Sequence, residues 1–195
     1  MKVFDLYDLS EVKVEDPGLK RVINLEPKVV LKSKGKQKGK FYAAKVNVIE
    51  RLARLLCHPG HRGKKHRIMT SNASGKLTKN TRVVLDAFKI IQEKTGENPV
   101  QVLVKAIENG SPREETTTIE YGGAKYPQAV DTSPIRRVSL TLRNIVNGTQ
   151  DRAFNKKTKL PQALAEEIML AAKEAGDCFT ISKKIEAEKQ ANSAR

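Results

Sequence analysis

Residues 98–146 read NPVQVLVKAIENGSPREETTTIEYGGAKYPQAVDTSPIRRVSLTLRNIV, and the order of patterns inside this stretch decides the fold. Its first part is an apolar helix pattern. Val102, Leu103, Ala106 and Ile107 recur at helical spacing, Asn98 caps them with Pro99 at the first helical position, and Gly110 stops them. A polar segment rich in Thr follows over 115–121, turns at Gly122-Gly123 and returns over 124–131. Pro127 removes one ladder donor, which suits a free edge. Ser133-Pro134 then opens a second helix with Ile135, Val138, Leu142 and Ile145 on its core face. A helix, a two-stranded arm and a basic helix in that order describe a scaffold that holds a ribbon out to a partner.

Working outward, residues 77–94 predict a helix with Val84, Ala87, Phe88 and Ile91 buried, closed by Thr95-Gly96. Few residues separate it from the helix at Pro99, so the two should pack as near-antiparallel neighbours. Residues 44–57 predict another helix on the stripe Ile49, Leu52, Ala53 and Leu56, with Arg51 and Arg54 off that stripe. Downstream come a basic turn at 155–159 and a helix at 160–175 with Leu164, Ile168 and Ala171 or Ala172 inward. A C-terminal segment of alternating charge starts at Phe179 and Ile181. The expected fold is mainly α: a single bundle of five to six helices with an inserted, protruding β-hairpin arm at about 114–131 and an extended basic N-terminal tail. Residues 1–43 are expected to form that N-terminal extension and 44–195 the helical domain.

The chain has 195 residues, 38% of them apolar, enough for one domain with a core. Its net charge is +15, from 37 Lys and Arg against 22 Asp and Glu. Such an excess repels itself and is explained most simply by a polyanionic partner, nucleic acid before an anionic membrane surface. No apolar run approaches the ~20 residues that span a bilayer, and Asp5 interrupts the N-terminus, so no signal peptide and no membrane partner are expected. Cys57 and Cys178 read as two reduced, packed thiols.

The cations concentrate in two acid-free stretches. Lys32, Lys34, Lys36, Lys38 and Lys40 alternate with Ser, Gly and Gln, which reads as an extended tail that orders on a partner. Residues 58–82, a loop whose end overlaps the helix pattern from Leu77, carry Arg62, Lys64, Lys65, Arg67, Lys76, Lys79 and Arg82, and their glycines allow close approach to a bulky anion. His61 and His66 lie in the same loop. Their spacing from Cys57 does not match a structural zinc site, so they read as polar contacts and no metal is expected. On the helix after Ser133, Arg136 and Arg143 align two turns apart, with Arg137 about 100° from Arg136. Guanidinium groups in line suit a phosphate backbone. In the arm, Tyr121 and Tyr126 flank the turn beside Lys125. The rings either stack on bases or pack on each other.

Enzyme signatures are missing. No nucleophile-elbow, zinc-protease or phosphate-loop pattern occurs, and Glu166 and Glu167, being adjacent on a helix, point apart. No enzymatic activity, cofactor or small-molecule substrate is expected. A general DNA-binding or chromatin protein is the alternative. Against it, no helix-turn-helix stands out, and Glu114, Glu115 and Glu120 make the arm too acidic for a groove reader.

Several phrases, in order along 44–195, are similar to one known family. They are Val48-Ile49-Glu50-Arg51-Leu52, Thr95-Gly96-Glu97-Asn98-Pro99, Pro112-Arg113-Glu114-Glu115, Gln128-Ala129-Val130-Asp131, Ser133-Pro134-Ile135-Arg136-Arg137-Val138, Leu164-Ala165-Glu166-Glu167-Ile168, and Ile181 with Lys183-Lys184. With these the chain resembles small-subunit ribosomal protein seven in its archaeal and eukaryotic-type form. Asp16-Pro17-Gly18 resembles the archaeal-type extension. The resemblance implies a cytoplasmic protein of the small ribosomal subunit. It would bind the three-prime major domain of small-subunit ribosomal RNA, help assemble the subunit head beside neighbouring ribosomal proteins, and hold its hairpin near messenger RNA and exit-site transfer RNA. The family's glycine-lysine loop carries over to Gly63-Lys64-Lys65 or to Gly75-Lys76, with Leu77 standing where another Lys is usual. Arg113, Lys183 and Lys184, from the matching phrases, complete the expected RNA-contacting set.

Overall fold

The computed structural model describes residues 2–3, 6–27, 39–58 and 75–195. Two short strands, β1 (Lys2–Val3) and β2 (Tyr7–Asp8), pair antiparallel, and a 3-10 turn at Tyr42–Lys45 leads into α1 (Val48–Leu56). Then follow α2 (Leu77–Thr95), α3 (Pro99–Gly110), the hairpin strands β3 (Glu114–Tyr121) and β4 (Ala124–Asp131), α4 (Pro134–Ala153), α5 (Leu160–Ala172) and α6 (Phe179–Ser193). The described residues are therefore mainly helical, with six α-helices. None of these helices is long and apolar enough to cross a membrane.

Local chemistry sets the boundaries. The Asn47 side chain accepts from the amide of Ile49 at 2.9 Å and starts α1. Asn98 does the same for Val100 at 3.0 Å, and Pro99 supplies the pre-set φ of the first turn of α3. Gly122 and Gly123 both take positive φ, 57° and 80°, so the two-residue turn matches the strand twist and pairs Tyr121 with Ala124. The ribbon runs in register from there to Glu114 opposite Asp131. Its outer residues, 117–128, are exposed on both strands.

α5 is the centre of the bundle. Ala163, Leu164, Ala165, Ile168 and Ala171 are buried, and α2, α3 and α4 all pack on it. The short α2–α3 connection predicts direct packing of those two helices. The two do touch, and each packs more extensively on α5, whose small residues let its backbone come close.

The N-terminal part departs from the expected tail. Residues 6–27 lie on the bundle and contribute Tyr7, Leu9, Leu19, Val22 and Ile23 to its core. Tyr7 meets Phe88 edge-on at 5.8 Å. Asn98, Gln101 and Glu108, spaced along one face of α3, hydrogen-bond to the backbone of Asp8, Lys13, Glu15 and Asp16. The boundary drawn at residue 43 does not mark an edge of the core. The periodic signals are weak here because the segment is held by side chains of α3, not by its own regular structure.

Two glycines set how closely helices approach. A Cβ on Gly110 would sit 2.7 Å from methyl carbons of Thr141 and Thr180, and one on Gly148 would sit 2.5 Å from Oε1 of Glu167 and 2.9 Å from Cβ of Phe179. Within an α-helix Gly→Ala ordinarily stabilises by roughly 0.5–1 kcal/mol. At Gly148 the sign should reverse: Gly148→Ala should destabilise the chain by roughly 1–3 kcal/mol in a denaturant titration. A gain in stability would mean that α4 and α6 are not held this close.

Candidate nucleic-acid interface

The start of α2 gathers cations where a helix tolerates them least. Lys76 precedes the first turn without a side-chain cap, Lys79 lies in that turn, Arg82 follows, and the turn holds no acid. All three are exposed. Helix N-termini already carry partial positive charge and unbonded amides, so added cations raise the free energy of the isolated chain and an anion lowers it. Among the described residues Lys79 and Arg82 make no ion pair. The expected loop 58–82 thus ends earlier than its acid-free composition suggested, since residues from Leu77 onward are helical.

The arginines of α4 separate. Arg137 turns inward, where Nη2 donates to Oδ2 of Asp16 at 2.9 Å. Burial would raise the Asp16 carboxyl. The Gly18 amide and the Arg137 guanidinium outweigh that and hold it below its ordinary value. Arg136 stays exposed and pairs with Glu115 of β3, whose hydrogen bond and charge hold the guanidinium more firmly protonated. Arg143 is exposed and makes no ion pair among the described residues. Arg137, about 100° from Arg136 on the helix, thus faces the N-terminal segment, while Arg136 and Arg143 stay exposed.

On the ribbon, Ile119 lies opposite Tyr126 and Tyr121 opposite Ala124, so these residues share one face. Tyr121 is 81% exposed and Tyr126 58%. The rings do not pack on each other; each faces a smaller neighbour. Glu120 and Lys125 oppose each other on the other face. At the base, Arg113 is exposed and its amide donates to Oε1 of Glu188 at 3.1 Å. In α6, Lys183 pairs with Glu186 and lies 5.9 Å over the Phe179 ring. Lys184 donates to the carbonyl of Asn109 at 2.8 Å and closes the end of α3. Lys40 is exposed. Lys32, Lys34, Lys36, Lys38, Arg62, Lys64, Lys65 and Arg67, with His61 and His66, lie outside the described residues.

Arg51 and Arg54 were not among the expected contacts. α1 is covered on more than its apolar stripe, and Arg51 is only 8% exposed. Its Nη2 donates to Oγ of Ser139 on α4 at 3.0 Å, while Nη1 has no hydrogen-bond partner. Burial pushes this guanidinium below its usual value. Arg54 pairs with Glu50, and its Nε is buried without a partner. The sequence signal was two arginines three apart on one short helix. Their burial was hidden because the cover comes from other segments.

The sequence of the chain matches the family model described as "Ribosomal protein S7p/S5e" over residues 19–195. It is 47% identical over 196 residues to a small ribosomal subunit protein uS7 of Nanoarchaeum equitans, covering 100% of this chain and 99% of that one. The uS7 of Methanothermobacter thermautotrophicus is 46% identical over 98% of each chain, and that of Thermoplasma volcanium is 43% identical over 99% of this chain and all of its own. The chain belongs to the ribosomal protein S7p/S5e family. It is a family of ribosomal proteins, not of enzymes, and the relatives are archaeal. The family match begins at Leu19, the first residue of the turn that buries Leu19, Val22 and Ile23.

In this family member the candidate contacts fall into groups on different elements: Lys76, Lys79 and Arg82 at the start of α2, Arg136 and Arg143 along α4, and Tyr121, Lys125 and Tyr126 at the outer end of the ribbon. Arg137 has a testable role apart from them. A carboxyl whose folded pKa is depressed stabilises the fold above its unfolded value, about 3.9 for Asp, and loses that contribution as pH falls through the folded value. Arg137→Ala should lower stability at neutral pH by about 1–3 kcal/mol. It should also flatten the loss of stability on acidification below about pH 4, as should Asp16→Asn. Arg136→Ala, at an exposed pair, should change stability by no more than about 1 kcal/mol. Thermal melts of the three variants between neutral and acid pH check this; equal losses for Arg136 and Arg137 would refute the inward role.

Proposed function

We propose that the chain is a cytoplasmic, structural constituent of the small ribosomal subunit. In this reading it binds the three-prime major domain of small-subunit ribosomal RNA and helps assemble the subunit head with neighbouring ribosomal proteins. The observation that carries the reading is the pair of exposed cations Lys79 and Arg82 at the start of α2, which make no ion pair among the described residues, in a chain that resembles small ribosomal subunit proteins over its full length. Helix amides and lysines together form a phosphate-seeking surface, which gives affinity without sequence information. Specificity then comes from RNA shape, 2′-hydroxyls and unstacked bases.

The ribbon serves as a protruding arm near messenger RNA and exit-site transfer RNA. Its support is the face of Ile119, Tyr121 and Tyr126, which has no cover among the described residues. Aromatic rings so exposed suit stacking on bases or riboses. The basic stretch from Lys32 to Lys40 is assigned to the same RNA.

Two measurements test this. At one stated salt concentration the chain should bind a fragment of the three-prime major domain more tightly than duplex DNA of equal length, and equal affinities would leave only a general nucleic-acid binder. In the same assay Lys79→Glu should weaken RNA binding several-fold, while thermal stability holds or rises because an acid suits the first helical turn by about 0.3–1 kcal/mol. A second variant lacking residues 117–128 should fold and keep much of its RNA affinity. Loss of folding would make the ribbon part of the core.

A further inference from the structure

The seam between α1 and α4 holds an unusual charge. Arg51 is more than nine-tenths buried; among the described residues no carboxylate pairs with it, and its one side-chain hydrogen bond is from Nη2 to the Ser139 hydroxyl at 3.0 Å. Ser139 Oγ in turn donates to the carbonyl of Ile135 at 2.8 Å, so the hydroxyl is fixed and neutral. Nη1 of Arg51 and Nε of Arg54 are both buried without an acceptor. Arg54 is one turn further along α1 and pairs with Glu50. Arg143 is one turn beyond Ser139 on α4, exposed and without an ion pair among the described residues. Among the described residues, Arg51, Arg54 and Arg143 have one paired acid between them, Glu50 on Arg54.

A buried guanidinium normally sits against a carboxylate, because desolvation of an unpaired charge is costly. Here the counter-charge is missing from the described chain, and the unmatched N–H groups call for an acceptor with several oxygens. Guanidinium geometry favours one that takes two parallel hydrogen bonds. We infer that the α1–α4 seam is a seat for one phosphodiester of the bound RNA, with Arg51 as its buried anchor and Arg143 as its outer clamp. This rests on the RNA-binding reading above. Nη1 is sealed in the free chain, so the guanidinium turns about its stem toward Arg143 when the phosphate arrives, with Ser139 keeping hold of Nη2. In so dry a place the pair attracts more strongly than at an exposed lysine.

The assignment gives stability and affinity opposite signs. Replacing Arg51 by Met keeps the apolar stem and removes the unpaired charge. The full chain carrying Arg51→Met should melt no lower than the wild type. It should bind the three-prime major-domain RNA fragment roughly ten- to a hundredfold more weakly, and its salt dependence should be shallower by about one phosphate contact. Arg51→Lys keeps the charge but not the fork, so it should lose affinity with the salt slope retained. It also carries the test if the Met variant does not fold. If wild type binds the fragment and both variants bind it equally well, the seat is refuted while the RNA reading stands. If wild type does not prefer the fragment to duplex DNA, the RNA reading itself fails. A Met variant that melts lower with unchanged affinity makes Arg51 purely structural.

Discussion

The Glu167 carboxylate is sealed in the interior where α4, α5 and α6 meet, with no exposed surface. An ionised carboxylate in that position is tolerated only when nearly every lone pair is matched. Oε1 accepts from the amide and hydroxyl of Thr180 at 3.0 and 2.9 Å and from the Cys178 thiol at 3.2 Å, and Oε2 accepts from Nε of Arg152 at 2.9 Å. Arg152 is fixed in turn by the Asp177 carbonyl. Burial, with the Glu167 charge adding to it, pushes the Cys178 thiol up, so it remains a donor. These directional bonds set the register of three helices in a way that the apolar core, which is non-directional, cannot. Gly148 is glycine because the carboxylate occupies the space of its Cβ.

The ribbon's support from α6 passes through that junction. α6 starts at the Thr180 contact and ends under the hairpin base, where Glu188 receives the Arg113 amide and Arg195 pairs with Glu114. Midway, Lys184 ties α6 to the end of α3. Several acids of the described chain make such internal ties: Asp16 with Arg137, Glu50 with Arg54, Glu115 with Arg136, Glu167 with Arg152. What remains uncompensated is the outer cation set, Lys79, Arg82 and Arg143 among it. The net charge of +15 follows from 37 Lys and Arg against 22 Asp and Glu, and the ion pairs of the described residues leave these cations unmatched.

The first five helices were legible from sequence because each carries an apolar stripe of the right period, with openings such as Asn98-Pro99 for α3 and Ser133-Pro134 for α4, and the glycine pair marked the hairpin turn; α6, with its alternating charge, carries no such stripe. Composition named the chemistry of the partner, and the matching phrases named the family. What could not be read was pairing across long separations. Asp16 and Arg137 are 121 residues apart, and Glu108 reaches backbone amides 93 and 92 residues away; no local pattern announces either contact. The N-terminal segment looked like a tail for that reason. Glu167 looked like one half of an idle acidic pair, since periodicity says that Glu166 and Glu167 point apart but not that one of them points into the core.

The same blindness applied to Arg51, and the reason is physical. Off-stripe arginines on a short helix are solvated when the helix lies on a surface, but the Arg51 side chain lies against α4, where it reaches Ser139. Asn24 accepts from the amide of Val48 at 2.9 Å and bridges to Asn47, which ties the start of α1 to the N-terminal segment. A charge buried without a counter-ion lowers the stability of the free chain. Such a residue is kept against its cost only where something outside the fold repays it, and an arginine fork inside a basic surface is matched by a phosphate oxygen pair better than by any other common partner. In the proposed seat, folding and binding are coupled: the cost that the unpartnered atoms of α1 leave in the isolated chain returns as affinity when the anion arrives.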